Sequence, residues 1–436
     1  MSNLSPAERD FLASDKSSAK AAGVEEEAEE GGRYAGMRFI TTVIGNIASV
    51  QTGPFGSQLH HKDYVLVGTP IVTVEHLGKR KMIRQNLPCV SEADKNRLSK
   101  YTLRYGDLVF SRVGSVDRCS WVSEDEDGWM FSGRCLRVRP NDPSEIYHKY
   151  LYYFFSLEST KDFVRNIAVG ATMPSINTRL LSEVPISFPG IEEQRQIGDV
   201  LSALDDRIEA NTAINHHLEQ QCYAIYRRFF VEEENPSWEV GTVANLGEVI
   251  GGSTPSKAKP EYYTKQGIAW ITPKDLSISK NKFILHGEVD ITDLGLRNSS
   301  TRLMPRGTVL FSSRAPIGYI AIASGDVCTN QGFKSIVPKA SIGTVYVYFF
   351  LKDNLQIIKG MASGSTFTEV SSSTMKMVPA VIPDYHTLTL FREACEPMFE
   401  QQELLEQEND RLAALRDALL PRLISGELSV ADVDAK

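Results

Sequence analysis

The side chains best suited to chemistry in this chain are cations and amides set on glycine-punctuated turns. GKRKMIR carries Lys79, Arg80, Lys81 and Arg84 after a strand-like run. It is a basic loop suited to phosphate contacts or, equally, an ordinary solvated loop. Arg112 and Arg118 bracket a VGSV turn, and Arg314 holds a similar turn before API. Long guanidinium groups on hairpin turns can reach guanine O6 and N7 in the major groove of DNA. TNQGFKS offers Asn330 and Gln331, whose amides suit adenine, beside the phosphate-type Lys334; the same Asn-Gln-Gly is also a good turn. Lys257 and Lys259 in GGSTPSKAKP and Lys274 in ITPKDL complete the candidate DNA-contact set.

Covalent chemistry finds no matching residues. The chain has no G-x-x-x-x-G-K-[ST] phosphate loop, no G-x-G-x-x-G after a strand and no Ser/His/Asp set. NPSW at Asn235 is like the N-P-P-[YF] loop of amino-methyltransferases but lacks the second proline, and reads as a turn into a second domain. His60 and His61 lack acidic or cysteine partners at ligand spacing, so they predict a surface loop and no metal site. The expectation is recognition without catalysis.

Those turns lie in a sequence written twice. YVLVGTPIVTVEHL returns as YTKQGIAWITPKDL, with Tyr64, Gly68 and Leu77 answered by Tyr263, Gly267 and Leu276. GDLVFSR at Gly106 returns as GTVLFSSR at Gly307, and LYYFF at Leu151 as VYVYFF at Val345. A period near 200 residues is too long for a solenoid, so this is a duplicated domain-plus-helix unit. Within each copy, short strand-like runs (TPIVTV, DLVFSRV, CLRVRP; later TVLFSS, YIAIAS) are interrupted by one amphipathic helix: KYLYYFFSLESTKDFVRN, then TVYVYFFLKDNLQIIKG.

After Pro189 the grammar becomes helical. Ile197, Leu201, Leu204, Ile208, Asn211, Asn215 and Leu218 keep alternate spacings of four and three, the coiled-coil period. Leu405, Asn409, Leu412 and Leu419 answer them in the second copy. Gln402 and Arg416 weaken that second seam, flanked by Leu404 and Leu415, and Pro397 predicts a kink or the true helix start. Antiparallel pairing in which partners sum to 620 sets Asn211 against Asn409, and two domains are expected at opposite ends of a rigid bar.

Bulk properties agree. Net charge is −8, yet residues 37–188 carry +4 and 237–382 carry +5, while 1–36, 189–236 and 383–436 carry −4, −6 and −7. Local potential governs phosphate attraction, so two basic lobes on an acidic frame are compatible with DNA; ordinary surface scatter is the alternative. Six scattered cysteines without C-x-x-C favour reduced thiols. No secretory signal and no membrane-length apolar run is read, which predicts a cytoplasmic protein.

These residues resemble the specificity subunit of type I restriction–modification systems over nearly all of 38–430. The second copy is the nearer match, through Trp238, LGEVIGGSTPSKAKPEYY, GIAWITPKDL, SSRAPIGYIAIA, TNQGF and LLPRLISGEL; the first has GPFGSQ for GGSTPS and no Asn-Gln-Gly. The resemblance implies an α+β fold, with two mixed α/β target-recognition domains separated by a long antiparallel two-helix coiled coil under an internal pseudo-two-fold. The expected divisions are an acidic disordered leader (1–36), target-recognition domain 1 (37–188), a central helix (189–236), target-recognition domain 2 (237–382) and a C-terminal helix and tail (383–436). It implies a bipartite double-stranded DNA target and docking of two methyltransferase subunits and of restriction/translocase subunits. S-adenosylmethionine, ATP and Mg would belong to those partners, with no cofactor in this chain. Two rival readings are a non-enzymatic DNA-binding scaffold or regulator and a DNA methyltransferase with its own recognition domain. Co-purification with a methyltransferase chain discriminates the first.

Overall fold

The computed structural model describes residues 38–233, 235–314, 316–364 and 368–431, so the leader expected over 1–36 lies outside the described residues. The chain forms two compact units, one running to residue 204 and resuming at 415, the other spanning 205–414. Both divisions fall inside long helices, Ile191–Arg227 and Tyr385–Ile424.

In the first unit, strand Ile40–Val43 pairs antiparallel with Pro185–Phe188 and so closes the domain's two ends together. Strands Ala48–Thr52, Cys135–Pro140, Leu108–Ser111 and Cys119–Trp121 form an antiparallel sheet in that order. A second sheet adds Thr69–Val72 parallel to Met130–Phe131. The second unit repeats this order. Glu239–Thr242 pairs with Pro379–Ile382, and Gly247–Gly251, Lys334–Pro338, Val309–Phe311 and Ile320–Ala323 lie side by side. Ala269–Ile271 runs parallel to Val327–Thr329. Gly106 and Gly307 precede corresponding strands at φ +83° and +82°, a conformation that a Cβ disfavours.

The single helix expected in each copy is two. His148–Ser156 stops at Leu157, whose ψ of 135° is extended, and Glu158–Ile167 follows; Thr344–Asp353 and Leu355–Gly360 repeat the break. The first helix of each pair is not amphipathic either: Tyr150 to Phe155 and Val345 to Leu351 are buried without interruption. A helix apolar all round is enclosed on all sides. Around the first pack the sheet, Ile197 and Leu201 of the central helix, and Leu419, Leu420, Leu423 and Ile424 of the C-terminal helix. Around the second pack Cys222, Tyr226, Phe391, Cys395 and Phe399 from the same two helices.

The central helix has 37 residues and the C-terminal helix 40. The latter begins at Tyr385 and continues through Pro397, so that proline does not start it. The lost backbone hydrogen bond is offset by the buried neighbours Phe391, Cys395 and Phe399. Asp384 caps this helix: its carboxylate accepts the Thr387 backbone N–H (3.0 Å), the Thr387 hydroxyl (2.7 Å) and the Trp238 indole N–H (2.9 Å).

Within the second unit the two helices run antiparallel. Asn211 is 0 % exposed, and its Nδ2 donates to Asn409 Oδ1 at 3.0 Å. Gln402 Nε2 donates to the Asn215 carbonyl (2.9 Å), the Cys222 thiol meets Met398 Sδ (3.7 Å), and Arg207 grips Glu408 (2.9 Å). Leu405 and Leu419 are buried, Leu204, Ile208, Leu218 and Leu412 half-buried. Leu404 and Leu415, read as flanking the seam, are 56 % and 47 % exposed and contribute little to it.

The buried amide pair and the helix cap each set an expected outcome. Asn409→Leu alone strands the buried Asn211 amide and lowers unfolding free energy by about 1–3 kcal/mol, whereas Leu at both positions recovers much of that loss; urea titration of the three variants measures the coupling. The Asp384 carboxyl is held down to about 2 by the Thr387 backbone and hydroxyl bonds and then the Trp238 indole, against 3.8 for a free group. A folded-state value below the unfolded one means that this stabilisation is present above pH ~4 and lost as pH falls towards 2. Thermal midpoints of Asp384→Asn therefore show a shallower acid decline over that window than those of the wild type.

Candidate nucleic-acid interface

One backbone frame recurs at the same place in both units, where a glycine loop meets the turn before a sheet strand. In the second, Gly252 N–H donates to the Phe333 carbonyl (3.4 Å), Asn330 N–H to Ile271 (3.0 Å) and Ser313 N–H to Gly332 (2.7 Å). In the first, Gly53 N–H donates to Cys135 (3.2 Å), Ser132 N–H to Val72 (2.8 Å) and Arg112 N–H to Arg134 (2.9 Å). Glycine is required at both loop starts. A Cβ on Gly53 would lie 2.2 Å from the Ser132 carbonyl oxygen, and one on Gly252 2.0 Å from that of Asn330.

This frame gathers several of the second copy's candidates. Thr254 of the GGSTPS loop bonds Gln331 Oε1, and Asn330 Oδ1 accepts the Gly332 N–H at 2.8 Å. Lys334, 9 % exposed, donates to Glu369 (3.0 Å), Ser313 (3.3 Å) and the Gln331 carbonyl (3.4 Å). Arg314 faces the same Glu369 at 3.9 Å. Lys334 therefore props the turn from below and is withdrawn from the phosphate set, while Gln331 remains exposed and Asn330 and Arg314 half-exposed. Lys257 is exposed on the entering loop; Lys259, also exposed, donates to Tyr262 OH (3.0 Å). Lys274, next to the Pro273 that lies against Gly332, is paired with Glu288.

The first copy's candidates scatter. Arg80 is 4 % exposed, stacked 5.1 Å over Trp121, with an N–H towards the Ser202 carbonyl of the central helix. It is structural, because an enclosed guanidinium cannot reach a phosphate. Arg84 joins Asp125, Glu126 and Ser123, and Arg118 donates to the Val74 carbonyl. Both are spent within the domain. Lys79 and Lys81 stay exposed beside them. Arg112 donates to the Gly133 carbonyl (3.1 Å) and lies 5.9 Å from the exposed Phe55 ring. The two arginine turns are not equivalent, contrary to their spacing in sequence. Val370 N–H donates to Ser313 as Ile176 N–H does to Arg112, so Arg112 corresponds to Ser313 and Arg314 to Val113.

Sequence reasoning missed Arg134, Thr254 and Glu369. Arg134 was legible in principle, since FSGRC precedes CLRVRP as TNQGF precedes KSIVP. Glu369 lies 35 positions along the chain from Lys334 and is brought to it by the Arg314–Glu369 bridge and the Val370 N–H bond to Ser313. NPSW forms the expected turn, with Asn235 Oδ1 accepting the Ser237 N–H at 3.0 Å. Among the described residues no cluster of three or more His, Cys, Asp or Glu could hold a metal ion, and no helix is long and apolar enough to cross a membrane.

A duplicated α/β scaffold presenting polar loops, joined by two long helices, defines a two-domain recognition protein. The family model for the type I restriction modification DNA specificity domain matches residues 44–220 and 235–392, and the chain belongs to that family. It is 24 % identical over 408 residues to the type I restriction enzyme HindI specificity subunit of Haemophilus influenzae, covering 76 % of this chain and 88 % of that protein. A stretch of 179 residues is 40 % identical to the MjaIX specificity subunit of Methanocaldococcus jannaschii, covering 39 % of this chain and 41 % of that one. The crystal structure of the type I restriction-modification system S subunit from M. genitalium superposes with a TM-score of 0.62 at 15 % identity, covering 89 % of this chain and 96 % of that chain, which establishes the shared fold.

Gly252→Ala tests the frame. The added methyl must displace the Asn330 turn, so the thermal midpoint of the variant falls by several degrees, and DNA binding by the second domain falls with it. Calorimetry and a binding titration read the two effects.

Proposed function

We propose that this chain is the DNA-specificity subunit of a cytoplasmic type I restriction–modification complex. It reads a bipartite double-stranded target and docks two methyltransferase subunits and restriction/translocase subunits. The observation that carries this reading is the paired frame itself. Two family domains hold the same glycine-dependent loop junction, yet fill it with different side chains, amides and a lysine in one and arginines in the other. A shared backbone with divergent tips suits two independent readers of two different half-sites. Basic domains of +4 and +5 suit phosphate attraction, and helical segments of −6 and −7 suit protein docking. S-adenosylmethionine, ATP and Mg are assigned to the partners, because the sequence holds no phosphate loop and no cofactor glycine motif.

Exchange of residues 237–382 for the matching domain of a relative, in the complex with its methyltransferase subunits, changes one half-site of the methylated sequence and leaves the other intact. Mapping of methylated adenines reads this directly. A change in both half-sites refutes independent reading, and methyl transfer by the purified chain alone refutes its non-catalytic role.

A further inference from the structure

The first domain's junction differs from the second's by more than a substitution of one polar set for another. Through the shared hydrogen bonds, Ser132 stands where Asn330 does, Gly133 where Gln331 does, Arg134 where Gly332 does, and Leu136 where Lys334 does. The second domain's turn is internally braced by Lys334, Arg314 and Glu369. In the first domain Leu136 is fully buried, Ser132 is 8 % exposed and Val113 occupies the Arg314 position, so that charged brace has no counterpart there. The charged groups described at this turn are the guanidinium groups of Arg112 and Arg134. That of Arg112 is engaged by the Gly133 carbonyl at 3.1 Å. That of Arg134 is exposed and has no hydrogen bond, ion pair or ring contact among the described residues.

Arg134 is nevertheless rigidly mounted. Its carbonyl accepts the Arg112 N–H at 2.9 Å, and Cys135 N–H closes the turn onto Ser132 at 2.9 Å. The preceding Gly133 is pressed so close to the GPFGS loop that a Cβ there would sit 2.4 Å from the Pro54 carbonyl oxygen. The same approach brings Phe55, 53 % exposed, beside the turn. On the neighbouring loop, where Gly114 N–H donates to Pro174 (2.8 Å), Met173 is 65 % exposed. An unpaired planar fork carried on a fixed turn breaks no internal bond when it binds and presents its donors in one plane, so bidentate recognition costs chiefly the rotamer entropy of one side chain. Its five N–H donors match the O6 and N7 acceptors of guanine in the major groove.

We propose that Arg134 is a specificity-determining residue of the first domain and reads a guanine in the first half-site. This rests on the DNA-specificity reading above. The test uses the full chain assembled with its methyltransferase subunits, as wild type, Arg134→Ala and Arg134→Lys, on a DNA library randomised across the first half-site. Adenine methylation and binding at several salt concentrations are the readouts. The expected result is a roughly 10- to 100-fold loss of preference for guanine at a single base pair in Arg134→Ala, the scale of one bidentate contact. Arg134→Lys does not restore the preference, and second half-site selectivity, unchanged in both variants, shows that they are folded. Uniform weakening on all sequences, a salt slope reduced by about one and rescue by Arg134→Lys would identify a phosphate contact and overturn the proposal. Unaltered selectivity in Arg134→Ala overturns it equally. A wild-type complex with no two-block preference removes the underlying reading and this inference with it.

Discussion

The interaction on which everything else depends is the closing of each domain's core by the two long helices. The helices His148–Ser156 and Thr344–Asp353, buried from Tyr150 to Phe155 and from Val345 to Leu351, are enclosed by more than their own sheets. Ile197, Leu201 and Leu419 to Ile424 complete one enclosure; Cys222, Tyr226, Phe391, Cys395 and Phe399 complete the other. Neither recognition domain is therefore separable from the helical segments without exposing a large apolar face. The heptad seam is correspondingly imperfect, because parts of each helix face a domain rather than the other helix.

Gln402 and its neighbours illustrate this. In a bare coiled coil a glutamine at a seam position weakens packing. Here Lys282, itself buried, donates to Gln402 Oε1 (2.5 Å), pairs with Glu219 and lies 3.8 Å from the Phe399 ring centroid. Burial pulls its ammonium down from the ordinary lysine range, and the Glu219 carboxylate opposes that shift. Glu406 accepts the Lys282 and Phe283 backbone N–H groups at 2.9 Å each, and Tyr348 OH donates to Glu219 at 3.2 Å. The second domain's edge segment is thus tied to the helices by a connected polar network. Any other register would strand these charges, which costs more than slippage along a purely apolar seam.

The recognition tips show the opposite logic, with backbone held constant and side chains free. Gly53 and Gly252 allow two strands of chain to approach within a distance that no other residue tolerates. Once the carbonyls are locked, residues at the turn can change without changing its path. One turn carries Asn330 and Gln331 over a buried Lys334 brace, the other Arg112 and Arg134. Such a scaffold separates the stability of the turn from the identity of its side chains, which suits the proposed reading of two different half-sites.

Much of this architecture was legible in one dimension. Duplication, the recurrence of the same strand-like runs in both copies, two helices of coiled-coil period and the opposition of Asn211 to Asn409 follow from spacing, since periodicity and repeat offset are properties of the chain itself. The break at Leu157, the continuation through Pro397 and the exposure of Leu404 and Leu415 do not, because local propensity there is outweighed by what packs against each residue. The basic residues divide in the same way. Composition marks Arg80, Arg84, Arg118 and Lys334 as cations, but only tertiary structure spends them on Ser202, Asp125, Val74 and Glu369 and leaves Arg134 unspent. A charge is a property of the sequence; whether it has an internal partner depends on distances across the fold between residues up to 122 positions apart.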